Sequence, residues 1–155
     1  MRASQNEGAQ LFAVRLAQWN VDSGELRAVR QAVFVLEQRI PEELEWDAAD
    51  ATCLHALAYD EAQRPIGCGR LLADGHIGRM AVLAAWRGQG VGGAVLELLV
   101  AEASRRGHAI IRLRAQMHAL PFYARHGFMP EGEEFLEADI PHRSMAKMIS
   151  PPAGT

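Results

Sequence analysis

Residues 87 to 93 read Arg87-Gly88-Gln89-Gly90-Val91-Gly92-Gly93, at a point where an apolar strand hands over to an amphipathic helix. Glycine in the first turn of a helix costs up to about 1 kcal/mol relative to alanine, so a run this dense calls for a reason. Missing side chains let backbone N–H groups close on a ligand, and the helix N-terminus adds a partial positive charge. Together they suit a phosphate or pyrophosphate, to which Arg87 adds a charge-assisted contact. A plainer reading is a tight turn that lets the helix lie close on a sheet. Gly88, Gly90 and Gly93 also satisfy the GxGxxG spacing of a dinucleotide site. That fingerprint should follow its strand directly and precede an acidic residue about 20 positions on. Here Ala84-Ala85-Trp86-Arg87 intervenes, and the next strand carries Arg112 and Arg114. There is no GxxxxGK[ST] for a nucleoside triphosphate.

Other reactive side chains are sparser. The six histidines lack metal-ligand spacing, so no metal is expected. Cys53 and Cys68 form neither a CxxC pair nor a disulfide framework and read as core thiols. His55 falls within a strand and reads as a core or cleft histidine; His142 beside Pro141 suits a loop or a titrating group. Residues 37 to 50 hold Glu37, Glu42, Glu43, Glu45, Asp47 and Asp50 against Arg39 alone. Such a run is usually a solvated face; lining a cleft mouth, it would draw in cationic molecules.

The elements that must position these groups follow from periodicity. Residues 11 to 16 alternate as a first strand, and Asp22 with Glu25 resembles a capping box opening a helix with Leu26, Val29, Val33 and Phe34 on one face. Acid-rich chain from 41 to 50 suits loop or short helix. Strands follow at 54–59, 66–73 and 77–83, the last two joined by a tight turn at Asp74-Gly75. The helix after the glycine run carries Val91, Val95, Leu96, Leu99 and Ala103 and stops at Gly107. A strand at 110–114, a short helix at 119–126, and strands near Phe128 and at 143–149 complete a mixed α/β order.

The chain has 155 residues, 16 Lys+Arg against 19 Asp+Glu, a net charge of −3, and 49% hydrophobic residues. One core of this size needs neither disulfide nor metal. The expected division is a tail at 1–10, a single domain at 11–149 and a Pro-containing tail at 150–155. The slight acidity offers no footprint for nucleic acid or anionic membranes, and no apolar stretch approaches the roughly 20 residues of a membrane span. The polar start lacks a secretory pattern, so a cytoplasmic location is expected.

A strand ending Arg79-Met80-Ala81-Val82, the glycine run, an amphipathic helix, a further strand and Phe122-Tyr123-Ala124-Arg125-His126-Gly127-Phe128 together resemble the GNAT superfamily of acyl-CoA-dependent N-acyltransferases, over roughly residues 76 to 130. Residues 30–38 with Asp47, and Asp139-Ile140-Pro141-His142, resemble its ElaA-like branch. The resemblance implies a twisted, splayed mixed sheet of six to seven strands with about four helices, and acyl-CoA in the cleft between strands 77–83 and 110–115. It implies that Met80, Ala81 and Val82 pair with the pantetheine arm and that residues 88 to 93 (Gly88, Gln89, Gly90, Val91, Gly92 and Gly93) bind the pyrophosphate. Gln116 falls where many relatives carry an Asn that contacts the cofactor.

By the same resemblance, the acceptor amine attacks acetyl-CoA directly in a ternary complex. The Val82 N–H would polarise the thioester carbonyl, Tyr123 would protonate the departing sulfur, and Glu37 would serve as base. The acceptor expected from the acidic run is the primary amine of a small cationic molecule. Two other classes remain: a non-catalytic acyl-CoA sensor, which Tyr123→Phe would leave unchanged, and a small NADP-binding domain using Arg112 or Arg114. Homodimers are common among such relatives, and a late strand edge would permit one.

Overall fold

The computed structural model describes residues 10–149. The expected tails lie outside the described residues apart from Gln10, which is exposed and outside any element. In chain order the elements are β1 (Phe12–Ala17), α1 (Trp19–Arg30) running on into a π-helical stretch (Gln31–Glu37), α2 (Glu42–Glu45), β2 (Leu54–Asp60), β3 (Pro65–Leu71), β4 (His76–Val82), α3 (Val91–Arg105), β5 (Ile110–Gln116), α4 (Leu120–Arg125), β6 (Met129–Glu137) and β7 (Ile140–Met148). The seven strands form one sheet in the order β1-β2-β3-β4-β5-β7-β6.

Alternation along β2 sorts side chains to two cores. Ala56 and Ala58 face α3, joining Val91, Val95, Leu96, Leu99 and Ala103. Leu57 faces α1, joining Leu26, Val29, Val33 and Phe34. Cys68 is buried among these, and burial pushes its thiol up to about 12; Cys53, expected in the core, is only half-buried. Close approach of α3 depends on β3: a Cβ on Gly67 would lie 2.8 Å from Val91 Cγ1, and one on Gly69 2.9 Å from Leu99 Cδ1.

The first helix starts earlier than the Asp22 and Glu25 pattern predicts. It opens at Trp19 with Gln18 as cap, and the Asp22 carboxylate reaches back one turn to accept the Gln18 N–H at 3.0 Å while pairing with Arg15. A capping box does occur further on, where Asp47 and Asp50 bracket the turn Ala48–Ala51.

All strand pairs are antiparallel except β4 with β5, which run parallel and pair only at His76↔Arg112 and Ile77↔Leu113. Beyond Ile77 the two strands part. β4 also carries a register shift opposite Cys68 to Arg70, and Arg79 there has a φ of 51°, in the left-handed region.

Candidate functional site

The parting of β4 from β5 opens a cavity of about 510 Å³. Gly78, Arg79 and Met80 form one wall; Leu113, Arg114 and Gln116 form the other. Tyr123 from α4, Phe34 and Gln38 from the end of the first helix, and His142 from β7 close it in.

β4 meets the cavity with an open backbone edge. The Leu83 N–H donates to Ile66 O on the β3 side at 2.9 Å. Successive N–H groups in a strand point to opposite edges, so the Val82 N–H is turned toward the open side. The neighbouring Val82 carbonyl accepts Arg87 Nε at 2.9 Å. After β4 and the turn Ala84–Trp86 comes the glycine run. Gly88 and Gly90 take φ values of 78° and 89°, with nothing within 4 Å of the position a Cβ would occupy. The chain therefore needs glycine conformations here while leaving open space above the loop. Gly90 caps α3, whose first N–H groups lack helical partners. A Cβ on Gly92 would sit 3.5 Å from Val82 Cγ2 and 3.4 Å from Phe122 Cζ, which ties the loop to the end of β4 and to α4. Open space over left-handed glycines at a helix start fits a pyrophosphate.

Tyr123 is buried, with its ring edge-on to Phe122 at 5.0 Å and Phe128 at 6.0 Å. Burial raises its pKa, so the hydroxyl stays protonated throughout the usable pH range. Gln116 also faces the cavity, but its amide is engaged: it donates to Gln38 Oε1 at 2.8 Å and accepts from Gln38 Nε2 at 3.3 Å. Glu37 lies outside the cavity walls. Arg87 grips both its oxygens at 2.6 and 2.7 Å, an exposed pair that holds the Glu37 carboxyl below its usual range. Both residues expected to act on ligand at this end are thus braced against each other.

The acid-rich run folds inward. Arg30, 1% exposed, meets Glu45 at 2.8 Å and Asp50 at 2.7 Å, its guanidinium between the rings of Trp19 and Trp46 at 5.6 and 5.0 Å. Arg70 binds Asp47 at 2.8 Å and Asp50 at 2.9 Å; Arg79 binds Glu45 at 3.1 Å and Asp47 at 3.2 Å. Three carboxylates face three guanidiniums. The Arg70 hydrogen bonds hold Asp47 at about 2. Burial pushes Asp50 up, but Arg30 outweighs it and leaves Asp50 below its usual value; at Glu45 burial prevails and the pKa rises. Glu42 accepts Trp46 Nε1. Only Glu43 in this run has no ion pair or hydrogen bond among the described residues. His55 sits beneath the network, stacked on Trp19 and donating to Asp50 O at 2.9 Å.

Met80, Gln116 and Tyr123 are thus brought to one cavity, the glycine loop sits past the end of its open strand, and Glu37 is set apart. Sequence reasoning missed Gln38, the three network arginines and the exposure of His142 to the cavity. Pairs 15 to 78 positions apart leave no local signal. Among the described residues, no three His, Cys, Asp or Glu side chains are grouped to hold a metal.

Residues 20–149 match the family model of the acetyltransferase (GNAT) domain. The chain is 41% identical over 123 residues to the uncharacterized N-acetyltransferase YjcF of Bacillus subtilis (strain 168), covering 77% of this chain and 87% of that protein. The fold is similar to that of an acyl-CoA N-acyltransferase from Pseudomonas aeruginosa (TM-score 0.78, 30% identity, 88% of this chain and 99% of that one). It is also similar to Escherichia coli ElaA (TM-score 0.79, 28% identity, 88% and 99%).

Proposed function

Because the chain belongs to the GNAT acetyltransferase family and is an acyltransferase, we propose that it moves an acetyl group from acetyl-CoA to the primary amine of a small molecule, by direct attack in a ternary complex in the cytoplasm. The observation that carries this reading is the cavity between β4 and β5, with an open strand edge on one side and Tyr123 within it. The glycine loop would hold the pyrophosphate on the N–H groups of residues 88 to 93. Backbone edges at Met80, Ala81 and Val82 would take the pantetheine arm. The Val82 N–H, turned to the open side, would stabilise negative charge developing on the thioester oxygen. Tyr123, held protonated by burial, would donate to the departing sulfur. Gln116 would reach the cofactor only after releasing Gln38.

The acceptor enters as an ammonium, but the charges of Glu45, Asp47 and Asp50 are matched by arginines. A polycation therefore finds little uncompensated charge on this wall, and a molecule with a single ammonium suits the cavity better.

Thermal shifts with acetyl-CoA, free CoA and NADPH in parallel test the cofactor. Ligand at a hundred times its Kd adds about 2.7 kcal/mol of stability. A rise with acetyl-CoA and none with NADPH supports the reading, and an amine screen by thiol release follows. Tyr123→Phe should then slow thiol release with little change in acetyl-CoA affinity. Binding without turnover of any amine, and no effect of Tyr123→Phe, would instead favour an acyl-CoA sensor.

A further inference from the structure

Direct attack requires the ammonium to lose a proton first, and the residue expected for that task, Glu37, is held by Arg87 outside the cavity. The carboxylates in the cavity walls are all engaged as well: Glu45 and Asp47 by the arginine network, Glu137 by Arg114 at 3.0 Å. Three imidazoles face the cavity. His76 lies at its closed end, where β4 still pairs with β5, and is paired with Asp74; His118 is exposed on the turn after β5.

His142 differs from both. It is 6% exposed, stacks on Phe135 at 5.9 Å, and its Nδ1 lies 2.7 Å from the Ile140 carbonyl oxygen. A carbonyl only accepts, so Nδ1 carries the hydrogen. In the neutral ring Nε2 then holds a lone pair, and it makes no hydrogen bond among the described residues. Register across β5 and β7 sets His142 opposite Gln116, and its ring lines the same cavity as Tyr123.

We propose that His142 is the general base of the acetyl transfer, taking a proton from the acceptor ammonium on Nε2. This rests on the acyltransfer reading above. The amine so freed forms the C–N bond to the thioester carbon. Collapse of the adduct breaks the C–S bond, the sulfur takes a proton from Tyr123, and Tyr123 regains one from the new amide nitrogen. The proton on His142 passes to solvent, so each turnover yields an amide, CoA thiol and one proton.

The test uses the full chain. Nitrogen-15 NMR of its histidines should show His142 as the neutral Nδ1–H tautomer; an Nε2–H tautomer overturns the proposal. Transfer to two probes, benzylamine and hydroxylamine, is then compared in His142→Gln and His142→Ala. Benzylamine is protonated near neutral pH and hydroxylamine is not. Loss of a general base should lower kcat for benzylamine roughly 10²–10⁴-fold. It should leave hydroxylamine within about tenfold, and added imidazole should restore His142→Ala; each variant should keep the acetyl-CoA thermal shift of the wild type. Equal losses for both probes without imidazole rescue overturn the assignment and leave His142 a packing residue. If the wild type acetylates neither probe, the tautomer decides. A wild type that binds no acetyl-CoA overturns the acyltransfer reading itself.

Discussion

The middle of β4 and its C-terminal end meet the same cleft with opposite means. Around Arg79, formal charges crowd together and cancel: Arg30, Arg70 and Arg79 against Glu45, Asp47 and Asp50. At the Val82 end the chain presents an open backbone edge and glycines, and the one formal pair, Arg87 with Glu37, is closed on itself. The acid-rich segment is thus a scaffold, while the segment without carboxylates is the one suited to hold an anion. Formal charge in a sequence becomes a field at a site only where the fold leaves it unpaired.

Breaking the charged end should cost stability and spare ligand binding. Arg30→Met takes from buried Glu45 and Asp50 one of the two guanidiniums each faces, leaving Arg79 and Arg70, and removing one partner of a buried pair costs about 3–5 kcal/mol. Chemical denaturation should show that loss, while acetyl-CoA affinity of the folded fraction stays within a few-fold. An unchanged midpoint would mean the network is not a scaffold.

Breaking the glycine end should do the reverse. Gly90→Val places a β-branched residue at a φ of 89°, which costs about 1–2 kcal/mol of stability. It also fills the space above the loop, so the Kd for CoA should rise by at least tenfold in calorimetry. A destabilised variant with wild-type CoA affinity would remove the loop from the site.

Acid should reach the two ends differently. Asp47 is held at about 2 by Arg70, below its ordinary value of 3.8. A carboxylate depressed on folding adds stability that is fully present above its unfolded pKa and is lost as pH falls through the folded one. Acid unfolding should therefore set in between about pH 4 and pH 2. Asp47→Asn should flatten that part of the stability curve, and an unaltered curve would show that Asp47 does not couple to folding. The smallest effect is expected from Glu42→Gln with Glu43→Gln, both exposed: the KM of an amine acceptor at low salt should stay within about twofold. A clear rise would show that these carboxylates steer cationic acceptors after all.

What could be read ahead of the structure was what is local. Gly88, Gly90, Gly92 and Gly93 stand out because glycine is costly at a helix start, and strands β2 to β5 because their alternation and the Asp74-Gly75 turn lie within a few residues. The family resemblance supplied the splayed sheet, and the structure has it with seven strands. Nothing local marked Trp19 as the helix start, since Asp22 satisfies Gln18 from inside the helix rather than capping it. Gln38 with Gln116, 78 positions apart, and Glu37 with Arg87, 50 apart, exist only once the first helix lies beside β4 and β5. The state of His142 depends on a carbonyl two residues back and on Phe135 across the last hairpin.

The two-rung joint between β4 and β5 also bears on how the protein comes together. β2 to β4 pair in chain order across short turns, with β1 added to β2 from beyond the first helix; β5, β7 and β6 make a second antiparallel group. Local pairings of this kind form early, whereas the parallel joint must wait for the whole length of α3 to cross over. The sheet is in this sense two cooperative units sharing one helix and one seam. Amide exchange at Arg112, whose N–H donates to Gly75 O across that seam at 3.1 Å, should therefore report its opening well before it reports global unfolding.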